Sequence, residues 1–345
     1  MIRTRRLAWV AALALVTTGA SACAASSTAS TPQSGAGSGP VAIGFVVRQT
    51  NNPVFDAMAH GGQEAASQLG GKLTVVGPSS DAATGQIPYI QALTIKHVSG
   101  MFITANDPTA LNDSLKAAMK AGITVVGMDS PTSADARKVF VSDGTTEDIG
   151  MAPLKLICAE LPACKGKIAI ISGPANSPNQ NPWIAVMENA LKTNPKYAGL
   201  HLVKVAYGQD DPQIATTKAQ GILQEFPDLN GFVLPSSVAM VSTAQVLEQT
   251  HKAGKVLMTG LALPSQMRGY VKDGTVKQFA IWNMTNLGYL SYWVTYALHT
   301  GKITGAPGET FTAGRLGSRT VGPDGVVSVG TPLIIDSSNI DQFHF

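Results

Sequence analysis

From Val41 onward the chain alternates short apolar runs with stretches of helical length, and this regular alternation restricts the fold more than any other feature. The first apolar runs of strand length lie at 41–47, 73–76, 100–104, 123–128 and 139–141. Helical stretches separate them at 53–69, 86–97 and 109–121. Strands that alternate with helices of this length are typical of βαβ units, whose parallel sheet is buried on both faces. The pattern predicts an α/β fold with doubly wound parallel sheets.

The same alternation then begins again, which predicts a second lobe. Strands are expected at 167–172, 201–206, 231–234, 256–260 and 278–282, and helices at 148–160, 182–193, 213–225, 238–249 and 265–272. A long helix at 286–300, a hairpin turn at 322–325 and a short strand at 332–335 follow. Because ten strands are too many for one ordinary doubly wound sheet, we expect two similar lobes.

The boundaries of these lobes follow from the places where the chain would cross between them. We expect an N-terminal lobe of residues 41–144 plus 284–316 and a C-terminal lobe of residues 145–283 plus 317–345. The expected crossings are near 143–145, near 283–284 and near Gly317. Three crossings would form a hinge.

The first 40 residues carry the pattern of an export signal. Three arginines, an apolar run and small residues predict a secretory signal peptide over residues 1–22. The apolar run is too short to span a bilayer. Cys23 follows directly and resembles the cysteine of a bacterial lipobox, which carries a diacylglycerol anchor, although Ala20 stands where that motif usually has Leu or Val.

We therefore expect a lipid on Cys23 to anchor the exported protein to the outer face of the cytoplasmic membrane. Residues 24–40 are uncharged and rich in Ser, Thr, Gly, Ala and Pro, which is typical of a flexible tether. Ordinary secretion with an incidental Cys23 is the alternative.

Charge and cysteine content narrow the class of protein. Without the three arginines of the signal, 22 Lys and Arg residues balance 22 Asp and Glu residues. A neutral surface argues against a nucleic-acid partner.

Cys158 and Cys164 would enter an oxidising environment, and their spacing allows a disulfide. A zinc site is the alternative, although no His or carboxylate pair stands at ligand spacing nearby.

Sequence motifs for catalysis are missing. The six histidines are scattered, and the sequence contains neither a His-Glu-x-x-His motif, nor a nucleophile elbow, nor a P-loop. We expect a binding protein, with no enzymatic activity, no cofactor and no metal.

Polar and aromatic residues follow the predicted strands, where open α/β sheets bind ligands. Two lobes that face each other across such strand ends would enclose one cleft. The candidate ligand-binding residues are Arg48, Gln49, Asn52, Phe55, Asn106, Asp129, Asn179, Gln180, Trp183, Pro235, Ser236, Trp282 and Asn283. This set of amides, one carboxylate, one guanidinium and three aromatic rings predicts a neutral ligand with many hydroxyl groups.

Several of these residues have a structural alternative. Asp129 and Asn52 could cap a turn, and Arg48 could pair with a carboxylate of its own lobe. The rings of Phe55 and Trp183 could belong to the hydrophobic core. Trp282 and Asn283 could be hinge residues, ligand contacts or both.

At these turns the chain resembles the type I periplasmic binding proteins that serve sugar ABC transporters. Residues 49–55 are similar to the "NNPFF" segment of the ribose-binding branch, and Asp129 stands where that branch has an aspartate that binds ligand hydroxyls. The second half resembles the rhamnose and autoinducer-2 branch at 179–183, Pro235–Ser236, Pro264 with Met267–Arg268, 279–283 and the closing 340–345. The resemblance implies hinge closure, a monomer, and ABC permease and ATPase partners.

Departures from the family pattern bear on the ligand. Val54 replaces an aromatic residue, and Leu261 and Ala262 stand where a Phe-Asp pair is common. The autoinducer branch has a lysine near Gln49 and an aspartate near Asn179, and both charges are lost here. These losses favour a sugar alcohol of four or five carbons, such as threitol, erythritol or xylitol. A cyclic pentose, a rhamnose-type deoxyhexose or autoinducer-2 is the alternative ligand, and a signalling receptor is the alternative role.

Overall fold

In the computed structural model, residues 40–345 are described and form two α/β lobes. The predicted signal peptide, Cys23 and the tether up to residue 39 lie outside the described residues. Among residues 40–345, none of the helices combines the length and the hydropathy needed to cross a bilayer.

Strands and helices alternate along residues 40–345 as the apolar pattern predicts. The strands are β1 (Ala42–Val46), β2 (Lys72–Val76), β3 (Gly100–Ile103), β4 (Thr124–Met128), β5 (Val139–Ser142), β6 (Gly166–Ser172), β7 (Leu200–Tyr207), β8 (Gly231–Leu234), β9 (Leu257–Gly260), β10 (Gln278–Ile281), β11 (Thr310–Thr312), β12 (Ser318–Thr320), β13 (Val326–Ser328) and β14 (Leu333–Asp336). The helices are α1 (Pro53–Gln68), α2 (Ile87–Ile95), α3 (Asn112–Lys120), α4 (Thr146–Glu160), α5 (Gln180–Thr193), α6 (Pro212–Glu225), α7 (Ser237–Gln249), α8 (Pro264–Lys272) and α9 (Met284–His299).

Each lobe is built on a parallel sheet. The first lobe has six parallel strands in the order β13, β5, β4, β3, β1, β2. The second has four parallel strands in the order β7, β6, β8, β9, and β10 pairs with β14 in an antiparallel ribbon beside them. Strands β3 and β8 are buried along their whole length, because helices cover both faces of each sheet. The predicted fold class, two doubly wound lobes joined by a hinge, is confirmed.

The hinge differs from the prediction at its third crossing. The chain passes between the lobes at 143–145 and at 282–283, as expected, but not near Gly317. Residues 318–320 form a hairpin with β11, and β13 then adds a parallel strand to β5 in the first lobe. The third crossing therefore lies between β13 and β14, at 329–332, because β13 hydrogen-bonds to the edge of the first sheet that β5 would otherwise leave open.

The predicted hairpin turn at 322–325 is also wrong. The hairpin of this region joins β11 to β12. Residues 322–325 form a tight turn, closed by the Gly322 amide on the Val326 carbonyl at 2.7 Å, which leads into β13. The short strand predicted at 332–335 is present as β14.

The sulfur atoms of Cys158 and Cys164 lie 2.05 Å apart, which is bonding distance. Cys158 is in the last turn of α4, and Cys164 lies in the short turn that follows. The pair joins the end of α4 to the chain that enters β6.

Helices α1 and α9 approach each other unusually closely. Gly61 of α1 and Gly288 of α9 lie at the crossing. A methyl group at Gly61 would lie 1.8 Å from the carbonyl oxygen of Thr285, and one at Gly288 would lie 1.8 Å from that of Met58. Because α1 begins beside the cleft and α9 begins at the second crossing, this contact fixes the hinge relative to the cleft wall.

We expect Gly288→Ala to lower the free energy of unfolding by about 1–3 kcal/mol, since the added methyl group meets backbone atoms that have no room to move. Gly269→Ala is the matched control, because Gly269 is exposed on α8 with nothing within 4 Å of the added carbon. The control should gain about 0.5–1 kcal/mol from helix propensity. Chemical denaturation measures both, and equal stability of the two variants would contradict the close packing.

Candidate functional site

A cavity lies between the two lobes, at the carboxyl ends of the strands. Its lining comes from both lobes and consists of Arg48, Asn52, Val54, Phe55, Asp129, Asp143, Asn179, Gln180, Trp183, Asp210, Pro235, Ser237, Leu261, Ile281 and Met284.

Side chains of the two lobes contact each other directly across this cavity. Asn179 Nδ2 donates to Asp129 Oδ1 at 3.2 Å. Arg48 Nη2 lies 3.6 Å from Asp210 Oδ2, and Gln49 Nε2 donates to the backbone oxygen of Asp210 at 3.4 Å. The structure is therefore a closed form, in which the cleft is bridged by protein hydrogen bonds.

Arg48 follows β1 and is buried between carboxylates. Its Nη2 donates to Asp81 Oδ2 and pairs with Asp210 across the cleft. Burial would lower the pKa of Arg48, but the charges of Asp81, Asp210 and Asp129 raise it above its ordinary value. Burial raises the pKa of Asp81, against the effect of Arg48. The guanidinium is thus a fixed charge that holds two loops of the first lobe and one of the second.

Asp129 ends β4 in a left-handed conformation, with φ of 56°. Aspartate tolerates this region better than most residues, and such geometry is frequent at binding sites. Thr104 Oγ1 donates to Asp129 Oδ2 at 2.6 Å, which orients the carboxylate. Burial raises the pKa of Asp129, although the bond from Thr104 and the charge of Arg48 oppose the shift.

The cavity contains two carboxyl groups that the sequence analysis did not select. Asp143 is the first residue after β5, and Asp210 follows β7 with φ of 50°. The expectation of one carboxylate is therefore wrong: three line the cavity, and Asp81 lies behind Arg48. Asp143 directly follows a strand, so the rule that selected Asp129 also applies to it, whereas Asp210 lies farther beyond the end of β7.

Asp210 is held in place from several sides. Ser236 Oγ donates to Asp210 Oδ1 at 2.6 Å, and the carboxylate lies over Gly173, where an added methyl group would come within 2.7 Å of Oδ1. Ser236 also caps α7 by accepting from the Ala239 amide at 3.3 Å. Ser236 thus positions Asp210, while the neighbouring Ser237 lines the cavity.

Three amide residues of the predicted set line the cavity and also order their own loops. Asn52 caps α1, with Oδ1 accepting from the Val54 amide at 3.0 Å. Asn179 Oδ1 accepts from the Gln180 amide at 2.9 Å. Gln180 Oε1 accepts from the Gly173 amide at 2.7 Å. In each case the side-chain amide oxygen accepts a hydrogen bond from a nearby backbone amide, and the residue still lines the cavity.

Five predicted residues do not line the cavity: Gln49, Asn106, Ser236, Trp282 and Asn283. Asn106 is buried, and its Nδ2 donates to the backbone oxygens of Arg48 at 3.2 Å and of Ala82 at 2.7 Å. Asn106 therefore fixes the loops that carry Arg48 and Asp81.

Trp282 and Asn283 belong to the hinge. A methyl group at Gly144 would lie 3.0 Å from Trp282 Nε1, so the first two crossings pack against each other. Asn283 Oδ1 accepts from the Asn286 amide at 2.9 Å and begins α9. These contacts support a role for Trp282 and Asn283 as hinge residues.

Apolar side chains complete the cavity wall. Phe55 from α1 and Trp183 from α5 enter from opposite lobes and are buried. The remaining apolar lining is Val54, Pro235, Leu261, Ile281 and Met284. Among the described residues, no group of three or more His, Cys, Asp or Glu side chains is arranged to hold a metal ion.

The fold and the two-sided cavity define a two-lobed solute-binding protein, and comparisons with known proteins agree. The family model described as "Periplasmic binding protein domain" matches residues 43–303. The chain therefore belongs to the periplasmic binding protein family, and its fold is the type I form of that family.

Three individual proteins show how similar this chain is to members of the family. A sugar ABC transporter structure from Actinomyces odontolyticus is 41% identical, with a TM-score of 0.73 over 88% of this chain and 97% of that chain. An ABC transporter solute-binding protein from Clostridium phytofermentas, solved with bound L-rhamnose, is 31% identical, with a TM-score of 0.83 over 88% and 98%. The D-ribose/D-allose-binding protein of Pseudomonas aeruginosa is 23% identical over 69% of this chain and 77% of its own length.

We expect Arg48→Met to lower the free energy of unfolding by about 3–5 kcal/mol near neutral pH, because Asp81 then stays buried without its partner. The loss should shrink as the pH falls, since the pKa of Asp81 is raised and protonation removes the buried charge. Lys116→Met is the control, because the Lys116–Asp135 pair is largely exposed and contributes little to stability. Urea unfolding at pH 5 and pH 7 measures the difference. Equal losses for the two variants at pH 7 would contradict the assigned role of Arg48.

Proposed function

We propose that this protein is an extracytoplasmic solute-binding protein of an ABC importer, which captures a small neutral polyhydroxylated molecule between its lobes. A sugar alcohol of four or five carbons, such as threitol, erythritol or xylitol, is the favoured ligand. The observation that carries the proposal is a cavity lined from both lobes, whose walls are bridged by the 3.2 Å hydrogen bond between Asn179 and Asp129.

The charges of the cavity argue against an anionic ligand. Three carboxyl groups line it, and its guanidinium is already paired with Asp81 and Asp210. An anion would therefore meet repulsion without a free cation to bind it. Hydroxyl groups suit this lining, because carboxylates accept hydrogen bonds from hydroxyls and amides can both accept and donate.

The apolar walls leave a second ligand class open. The protein solved with L-rhamnose is 31% identical to this chain. Phe55 and Trp183 enter the cavity from opposite lobes, where they can cover the C–H faces of a sugar ring. A cyclic deoxyhexose or pentose is therefore the alternative ligand.

Closure supplies both affinity and selectivity. Ligand bound between the lobes favours the closed form, and the chain bends at its three crossings. Each well-formed hydrogen bond contributes about 0.5–1.5 kcal/mol, whereas a missing hydroxyl leaves a buried partner unsatisfied at a cost of about 1–3 kcal/mol. The closed form would then dock on the membrane permease, where the ATPase partner drives release and transport.

We expect one compound among erythritol, D-threitol, xylitol, D-arabinose, L-rhamnose and autoinducer-2 to raise the unfolding temperature of the exported protein. At a hundred times its dissociation constant, it should add about 2.7 kcal/mol to the free energy of unfolding. Asp129→Ala should abolish this shift, because Asp129 is central to the cavity and bonded to both lobes. Asp113→Ala, an exposed carboxylate on α3, is the control and should keep it. No shift with any compound, or an unchanged shift in Asp129→Ala, would refute the proposed site.

The proposal includes a lipid anchor on Cys23 and a disulfide between Cys158 and Cys164, and one variant tests both. Cys23→Ala should move the protein from the membrane fraction to the soluble fraction. Since the sequence has three cysteines, this variant keeps only the pair whose sulfurs are 2.05 Å apart. The unfolded variant should then react with a thiol reagent only after reduction. Unchanged membrane association would rule out the anchor, and reaction without reductant would rule out the disulfide.

A further inference from the structure

Asp143 is a buried carboxyl group in the wall of the cleft. It is 5% exposed, it lines the cavity, and it lies at the first crossing of the hinge. Its Oδ1 has no hydrogen-bond partner among the described residues. An unsatisfied buried oxygen is costly, and at the edge of a cavity it indicates a place for a ligand donor.

The sheet places Asp143 beside Asp129. Strands β4 and β5 are parallel neighbours, with Met128 opposite Val141, and the Asp129 amide donates to the Val141 carbonyl at 3.1 Å. The residues that follow these two strands therefore lie side by side. Two carboxyl groups in such a position cannot both be ionised without strong repulsion. Burial, followed by the charge of Asp129, raises the pKa of Asp143 well above its ordinary value.

The other charged groups around this pair come from neighbouring loops. Arg48, after β1, lowers the pKa of Asp129, while Asp210, after β7, raises it. Asp81 and Asp210 already pair with Nη2 of Arg48. Among the described residues, no cation forms an ion pair with Asp143.

We propose that Asp143 is a ligand-binding residue that carries a proton in the closed form, donates a hydrogen bond through that proton to Asp129, and accepts a hydrogen bond from a ligand hydroxyl at Oδ1. The ligand class is a sugar or sugar alcohol with a hydroxyl aimed at the hinge. This assignment rests on the proposed function, and it adds a specificity-determining contact from the hinge to those of the two lobes.

The proposed protonation of Asp143 predicts that ligand affinity depends on pH, and it fixes the sign of that dependence. On this assignment, opening the cleft exposes Asp143 to water and leaves it ionised near neutral pH, so that closure takes up one proton from solvent. A group whose pKa is raised in the closed form stabilises that form most fully at low pH, and the contribution is lost as the pH rises through the raised pKa. Ligand affinity should therefore fall with rising pH, by at most about tenfold per pH unit for one linked proton.

The matched variants are Asp143→Asn and Asp143→Ala, measured by titration calorimetry with xylitol, D-threitol, D-arabinose and L-rhamnose at pH 5.5, 7 and 8.5. Asparagine keeps a donor for Asp129 and an acceptor for the ligand without titrating. Asp143→Asn should therefore bind within about threefold of the unmodified protein at pH 5.5, with an affinity that no longer falls as the pH rises. Asp143→Ala should bind about 10–100-fold more weakly at every pH, since it loses the hydrogen bond with the ligand hydroxyl and the one from Asp143 to Asp129. Asp113→Asn is the control and should keep the pH dependence.

The outcomes separate this assignment from the proposed function. If one probe binds the unmodified protein and Asp143→Ala binds it equally well, the cleft stands and the Asp143 contact is wrong. If Asp143→Asn keeps the same pH dependence, Asp143 does not carry the linked proton. If none of the four probes binds the unmodified protein, both the contact and the proposed ligand class are overturned. The unfolding free energy of the ligand-free protein then still tests the pairing, because Asp143→Asn should be increasingly stabilising relative to the unmodified protein as the pH rises.

Discussion

The closed cleft depends on one buried cation and the carboxylates around it. Arg48 pairs with Asp81 in its own lobe and reaches Asp210 in the other lobe at 3.6 Å. A buried guanidinium of this kind is stable only when charged partners surround it, and here they come from loops that follow different strands. Asn106 ties the Arg48 loop to the Asp81 loop, and Ser236 orients Asp210. The ion pair thus joins two rigid sheets through their strand ends, so that the relative position of the lobes and the shape of the cavity are set by the same contact.

The elements on either side of the hinge are rigid for a related reason. Its crossings lie side by side: Trp282 packs against Gly144, and the Val329 amide donates to the Ser142 carbonyl at 2.9 Å. Helix α9 leaves the second crossing and packs on α1 without room for a methyl group at Gly61 or Gly288. Movement is therefore confined to a few residues between elements that cannot deform, which is the condition for hinge bending. Asp143, at the first of these crossings, is buried in this closed form.

Much of this could be predicted from the sequence, because apolar runs determine strands and the strand-end rule places polar turns together. Arg48, Asp129 and Asn179 were found in that way. The predictions that the structure contradicts failed for physical reasons. Strand β13 has only three residues, and its pairing with β5 is a long-range contact with little local signal. Asp210 reaches the cavity through consecutive positive φ angles at Gln209 and Asp210, which sequence patterns do not reveal. Whether an amide faces the ligand or a neighbouring loop is decided by packing, and Asn106 faces a loop.

The closed form also limits where ligand affinity can originate. The bonds from Thr104 and Asn179 occupy Asp129, and two carboxylates pair with Nη2 of Arg48, whose Nε has no partner among the described residues. A ligand hydroxyl that replaces one of these bonds exchanges one hydrogen bond for another, with little net gain. A ligand shifts the equilibrium towards closure only by interactions that are stronger in the closed form than in the open one. Such gains are available from groups that closure leaves without partners, and from the apolar wall around Phe55 and Trp183, which a ligand shields from water. If the ligand is the polyol that we propose, selectivity should therefore depend less on the total number of hydroxyls than on whether one hydroxyl reaches the hinge while the carbon chain covers that wall.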